Sequence, residues 1–272
     1  MPTYVDKTSI VELLGHQFGS LAALCSPLSE DQWKVATCLP EWSVKDVLSH
    51  IVGTESMLAG EPTPSVDTSH LDHMQNAVAE GNEAWVESMR PSRGSELLDR
   101  FGQITARRLA ALEAMTQADF DAPSWTPVGR DETYGRFMRI RHYDCFMHEH
   151  DIRDALGVPP RLEVRDIDSA LDEVSTGLGY IVGRRAAMPE GARVRIDLTG
   201  PVSRSYLVQV DGRAVEVASF DQPPTVGVEL PVMTFLRLTG GRADLHGGGG
   251  EITFTGDRAL GEQLVGHLAF TI

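Results

Sequence analysis

No run of about 18 successive apolar residues, the minimum for a membrane-crossing helix, occurs in the 272-residue sequence. Its opening, "MPTYVDKTSIVELLGHQF", lacks the basic start and apolar run of a secretion signal. Basic charge is scarce: 24 Lys and Arg face 39 Asp and Glu, a formal charge of −15, and no basic cluster is interleaved with aromatics. Phosphate binding needs a positive field, so no nucleic acid is expected as a partner, and no membrane. Cysteine is short too. Cys25, Cys38 and Cys145 are an odd number that cannot all pair within one chain, and their spacing fits no zinc ribbon. They are expected to be buried thiols in a reducing compartment, and the lack of a signal and of a membrane span gives the expectation of a cytoplasmic protein.

What is present is the composition of a globular chain, 42% hydrophobic and 23% charged, with a length that suits two ordinary domains. Ile10, Leu14, Phe18, Leu21 and Cys25 recur at the helical period and predict a helix over roughly 8–26. Ser43 followed by Asp46 reads as a capping box opening a second helix at Val44, which ends near Gly60. Further helices are expected over about 69–89, 95–116 and 134–156, the last stopped by "GVPP", with "DAPSWTPVGRDETYG" between them as loop. Five helices with modest connections suggest a bundle over 1–160. Beyond Pro160 the pattern changes. Residues 167–188 still look helical, but "ARVRIDLTG" and "RSYLVQVDGRAVEVASF" alternate, with Asp211-Gly212 as a hairpin signal. "LPVMTFLRLTGG" reads as a short helix, "EITFTGD" as a last strand and "RALGEQLVGHLAF" as a last helix. A small α+β domain over 161–272 follows. Gly247–Gly250 is a low-complexity spot with no assigned role.

The chemistry concentrates in "DCFMHEHDIRDALG". Asp144 and His148, four apart on a helix, lie one above the other with about 6 Å between Cβ atoms and can converge on one ion. Glu149 and His150 point elsewhere. Spacing alone leaves metal ligation and a plain surface pair both open. His50 falls on the inward stripe of the second helix beside Val44, Val47 and Leu48, where an imidazole needs a partner, either an ion or a core hydrogen bond. Asp151 is either an acid supporting His148 from behind or a member of a helix salt bridge. Cys145 points a quarter turn from Asp144 and reads as a packed thiol. His16, His70 and His73 read as surface residues. Asn82, Arg90, Arg107 and Arg108 read as solvated unless their helices turn them inward.

"LSEDQWKVATCLPEWSVKDVLSHIVGTE" resembles the signature of the DinB-like superfamily, and within it the mycothiol-dependent maleylpyruvate isomerase family. Pro40, Trp42, Ser43, Val44, Asp46 and His50 fill the segment that carries the first metal histidine. Asp144, His148, Asp151, Ile152 and Ala155 fill the second signature, with Asp144 where a Glu is usual and Glu149-His150 where Gly-Trp is usual. The shorter ligand demands a closer helix, and the Glu149-His150 swap is expected to add polarity beside the site. The resemblance covers nearly the whole chain and implies a DinB-like helical bundle followed by an α+β domain similar to sterol carrier proteins. It implies a divalent metal held by His50, Asp144 and His148. Two imidazoles and one carboxylate with an open position suit catalytic zinc, though iron or nickel fits the same trio. It also points to Arg242 as a catalytic arginine near the active site.

The implied cosubstrate is mycothiol, whose thiolate adds to the cis double bond of maleylpyruvate, allows rotation and leaves to give the trans isomer. In a transferase it attacks an electrophile and stays attached. The expected partners are a small electrophile or unsaturated acid, in a monomer or homodimer. An anionic substrate needs positive side chains near the metal, and this acidic chain shows few. A different class also fits the residues: a non-catalytic binder whose bundle keeps a metal for stability and whose second domain carries a small apolar ligand.

Overall fold

A computed structural model describes residues 2–67, 77–242 and 252–271. His70, His73, the start of the helix expected from 69, and Gly247–Gly250 lie outside them. The chain divides into two compact units, Met1–Arg161 and Leu162–Ile272.

The first unit is helical. α1 (Lys7–Cys25) is capped by Asp6, whose side chain accepts from the Ser9 amide, and it buries Ile10, Leu14, Phe18 and Leu21 along one stripe. After a 3-10 turn at Gln32–Lys34 comes α2 (Val44–Leu58), opened by the Ser43/Asp46 capping box. α3 (Ala77–Met89), α4 (Gly94–Ala114) and the short α5 (Gln117–Asp121) follow. α6 (Tyr134–Ala155) is buried over most of its length. α1 packs on α4 and α6, and α2 packs on α3, α4 and α6. α2 and α6 meet where each carries its histidines. The α2–α3 contact is close: a Cβ on Gly53 would fall 2.4 Å from Cβ of Trp85, so only glycine lets the indole seat there.

One loop expectation is overturned. "DAPSWTPVGRDETYG" contains an antiparallel hairpin, β1 (Pro123–Thr126) and β2 (Gly129–Thr133), with an irregular register between Ser124 and Thr126. Thr126 Oγ1 donates to the Gly129 carbonyl across the turn, and Trp125 packs edge-on against Phe137 of α6. These contacts hold two strands too short to show alternation in the sequence.

The second unit has one five-stranded sheet in the order β5-β4-β3-β6-β7. The expected continuous helix 167–188 is broken: α7 (Val164–Ser175) stops before Gly177, and a single turn α8 (Leu178–Tyr180) leads into a π-helical segment, Ile181–Arg185. β3 (Arg193–Thr199), β4 (Arg204–Asp211) and β5 (Arg213–Glu216) form a meander, turned at Gly212 with φ +65° as the Asp-Gly pair predicts. β6 (Val226–Pro231), absent from the sequence reading, lies parallel to β3 and leads into α9 (Val232–Thr239). β7 (Thr253–Gly256) and α10 (Arg258–Gly266) complete the unit. Val194, Ile196 and Leu198 turn to the core with Val226, Val228 and Leu230, under Leu171, Val174, Phe235 and Leu236. Among the described residues no helix is long and apolar enough to cross a membrane.

Candidate metal centre

His50 lies in the second turn of α2, buried between Val47 and Ile51, and Asp144 and His148 lie one turn apart on α6. The contact between the two helices brings these three together, with one ligand atom from each within 4.8 Å of the others. His50 Nε2 is 3.3 Å from Asp144 Oδ2, and His148 Nε2 is 3.4 Å from Asp144 Oδ1. Donors about 2.0–2.1 Å from a tetrahedral zinc stand roughly 3.3–3.4 Å apart, so the spacing suits such an ion. The imidazole rings meet edge-on with centroids 4.9 Å apart, and both Nε2 atoms lie within 3.4 Å of an Asp144 carboxylate oxygen.

What lies behind the donors also fits a cation. His148 Nδ1 is 2.9 Å from Asp151 Oδ2, an acceptor that would keep a proton on Nδ1 while Nε2 ligates an ion. Asp151 is buried and is also reached by the Cys38 thiol at 3.4 Å. His50 Nδ1 is buried without a hydrogen-bond partner, so the polar engagement of that ring runs through Nε2. Trp42 covers both rings, 5.2 Å from His50 and 6.1 Å from His148 between centroids, and its Nε1 donates to Glu83 Oε1 at 2.6 Å. Asp144 is the exposed member, with 28% of its side chain open against 7% for His50 and 5% for His148. The donor set therefore opens on its carboxylate side.

Electrostatics separate the two imidazoles. Burial dominates at His50 and lowers its pKa despite the Asp144 charge. Burial also opposes protonation of His148, but the charge and hydrogen bonds of Asp144, together with Asp151, outweigh it and raise its pKa. Burial works against ionisation of Asp144 as well, yet His148, Arg141 and His50 hold it well below the usual carboxylate range.

The sequence reading missed Arg141. Its Nη1 donates to Asp144 Oδ2 at 2.6 Å and its Nε to Glu55 Oε1 at 3.0 Å, so a buried guanidinium stands directly behind the carboxylate. Buried on Glu55 and Asp144, this guanidinium is not open to an anionic substrate, so the expectation of few positive groups to meet one is not overturned by it. A signal existed: Arg141 shares the inward stripe of α6 with Met138, Cys145, His148 and Ile152.

Other expectations divide. Glu149 and His150 do not add polarity beside the donors. Glu149 accepts from Gln17 and Ser20 of α1 and from Arg153 and Arg161, while His150 Nδ1 meets the Phe146 carbonyl at 2.8 Å. A step of one or two residues round the helix turns them away. Cys25 and Cys145 are packed thiols, their pKa values pushed up by burial, whereas Cys38 is exposed, which corrects the expectation that all three are buried. Arg108 is not solvated but buried on Glu55, whereas Arg107 is exposed and pairs with Glu61. Arg242 belongs to the second unit, where its Nη1 donates to the Gly240 carbonyl at 2.6 Å.

Residues 14–153 match the family profile described as the mycothiol maleylpyruvate isomerase N-terminal domain, and residues 168–263 match the C-terminal domain of the same proteins. The chain belongs to the mycothiol-dependent maleylpyruvate isomerase family. The crystal structure of the mycothiol-dependent maleylpyruvate isomerase superposes with a TM-score of 0.61 at 14% identity, covering 92% of this chain and 93% of that one. A histidine-to-alanine mutant of the same enzyme gives 0.57 at 14% identity, over 88% and 90%. At that identity the likeness shows the shared fold, a helical region followed by a small sheet-containing one. No curated protein matches the chain by sequence.

Proposed function

We propose that the protein is a divalent-metal enzyme that activates mycothiol for cis-trans isomerisation of an unsaturated acid of the maleylpyruvate type or for S-transfer to a small electrophile. The observation that carries the reading is the convergence of His50, Asp144 and His148 from two helices with the carboxylate side open. Zinc is the proposed ion, since two imidazoles and a carboxylate with an open position are a catalytic zinc set. A bound ion supplies Lewis acidity there, holding a thiol as thiolate at neutral pH and polarising a nearby carbonyl.

The chain's own residues do the rest. Asp151 holds the His148 proton on Nδ1 and Trp42 keeps water from the buried faces of both rings. Arg242 is proposed, on the family resemblance, as the cation that meets an anionic substrate. The three free thiols suit the proposed cytoplasmic setting.

The test is elemental analysis together with turnover of maleylpyruvate and of a generic electrophile in the presence of mycothiol. His50→Ala is expected to lose both metal and turnover while the circular dichroism is kept. Arg242→Ala is expected to lose turnover and keep the metal. Metal-loaded protein that turns over neither substrate would end the enzymatic reading.

A further inference from the structure

We propose that Arg141 is a positioning residue that decides which oxygen of Asp144 is offered to the ion, an inference that rests on the metal-enzyme reading above. Asp144 has both oxygens within reach of an imidazole, Oδ2 at 3.3 Å from His50 Nε2 and Oδ1 at 3.4 Å from His148 Nε2. A carboxylate so placed can offer a cation one oxygen or two. Arg141 removes that freedom, because its Nη1 donates to Oδ2 at 2.6 Å, leaving Oδ1 as the oxygen without a guanidinium on it.

The guanidinium is itself held at three points. Nε donates to Glu55 Oε1 at 3.0 Å and Nη2 reaches Cys145 Sγ at 3.5 Å, while the third contact is the one to Asp144. Glu55 is fixed in turn, since Arg108 Nε donates to its other oxygen at 3.1 Å and Arg108 Nη2 donates to the Tyr134 hydroxyl at 3.1 Å. The side chains of Arg141, Glu55 and Arg108 are each 5% exposed or less, and none opens to substrate. A buried, alternating row of two guanidiniums and a carboxylate thus ends on a part-exposed acid at the mouth of the donor set. The plain alternative is that Arg141 serves only to balance the charge of Glu55.

Lysine separates the two roles, because it keeps the charge but has no rigid fork to hold Glu55 and Asp144 together. Cobalt(II) is the probe, read by equilibrium titration and by its visible d–d absorption, which is strong in four-coordinate sites and weak as coordination rises. Arg141→Lys is expected to weaken cobalt binding by about 10- to 100-fold. The visible band is expected to fade as the freed carboxylate engages through both oxygens, with circular dichroism unchanged. Wild-type affinity and spectrum in Arg141→Lys would overturn the proposal. Should that variant not fold, a crystal structure of the cobalt-loaded wild type decides. Arg141 still on Oδ2 supports the assignment, and both carboxylate oxygens on the ion overturn it. Wild-type protein that takes up no cobalt would instead sink the metal reading itself.

Discussion

His148 is the imidazole at which a proton competes most strongly with a cation. Its pKa in the folded protein is raised above the ordinary imidazole value near 6.5, that of His50 is lowered, and Asp144 stays ionised well into acid. Without metal, the raised His148 value contributes stability that is fully present below pH about 6.5 and is lost as pH rises through the folded value. Metal binding runs the other way, since an imidazole must be deprotonated to coordinate. Loading is therefore expected to release a proton from His148 wherever its raised value keeps the ring charged. Calorimetric titration of zinc in buffers of different ionisation enthalpy checks this, and apparent affinity is expected to climb with pH until the His148 value is passed. A pH-independent affinity between 6 and 8 would contradict the assignment. Asp151 belongs to the same account. Asp151→Asn keeps an acceptor for Nδ1 but removes the charge, and is expected to weaken zinc binding by roughly tenfold or more while leaving the fold intact.

α2 delivers His50 through local signals that the sequence states openly: the Ser43/Asp46 capping box, the Val44, Val47, Leu48 and Ile51 stripe, and a glycine where Trp85 must approach. Ser43→Ala is expected to lower stability by about 1 kcal/mol. Metal content should be kept, because fraying reaches the first turn and His50 sits in the second. Gly53→Ala, which forces a methyl against Cβ of Trp85, is expected to cost about 1–3 kcal/mol. Urea midpoints of the two variants, measured with metal content, check both statements.

The elements that escaped the sequence reading lack such signals. β1 and β2 are four and five residues long, with Pro127 between them and Gly129 opening β2, so their pairing shows only in three dimensions. β6 follows Pro223-Pro224 and carries Gly227, and its partner β3 is remote and parallel, a pairing no local pattern records. The same holds in the site. His50, Asp144 and His148 were legible as residue types at helical spacing, whereas Arg141 was hidden because a charged residue on a helix is by default solvated. Its burial depends on Glu55 of α2, and nothing in the local sequence announces that contact.

The whole chain carries a formal charge of −15, so its field repels a substrate that is itself an anion. Turnover of a dianionic acid is therefore expected to gain in kcat/KM as salt rises from about 0.01 M to 0.1 M, where screening shortens from about 30 Å to about 10 Å. A neutral electrophile should show no such gain. The division into two units gives a sharper expectation. All three proposed ligands lie in Met1–Arg161, whose core includes Leu14, Leu21, Val47, Phe101, Phe120 and Ile152. A ligand that binds only the folded state stabilises what it binds, by about 4 kcal/mol when its free concentration is 1,000 times Kd. Zinc should therefore raise the unfolding temperature of the helical unit. Calorimetric scans of the full chain with zinc and with chelator should then show a transition that moves. His50→Ala should hold the moving transition at its chelated position in both scans. If zinc still shifts a transition in His50→Ala, the ion is bound somewhere other than between α2 and α6.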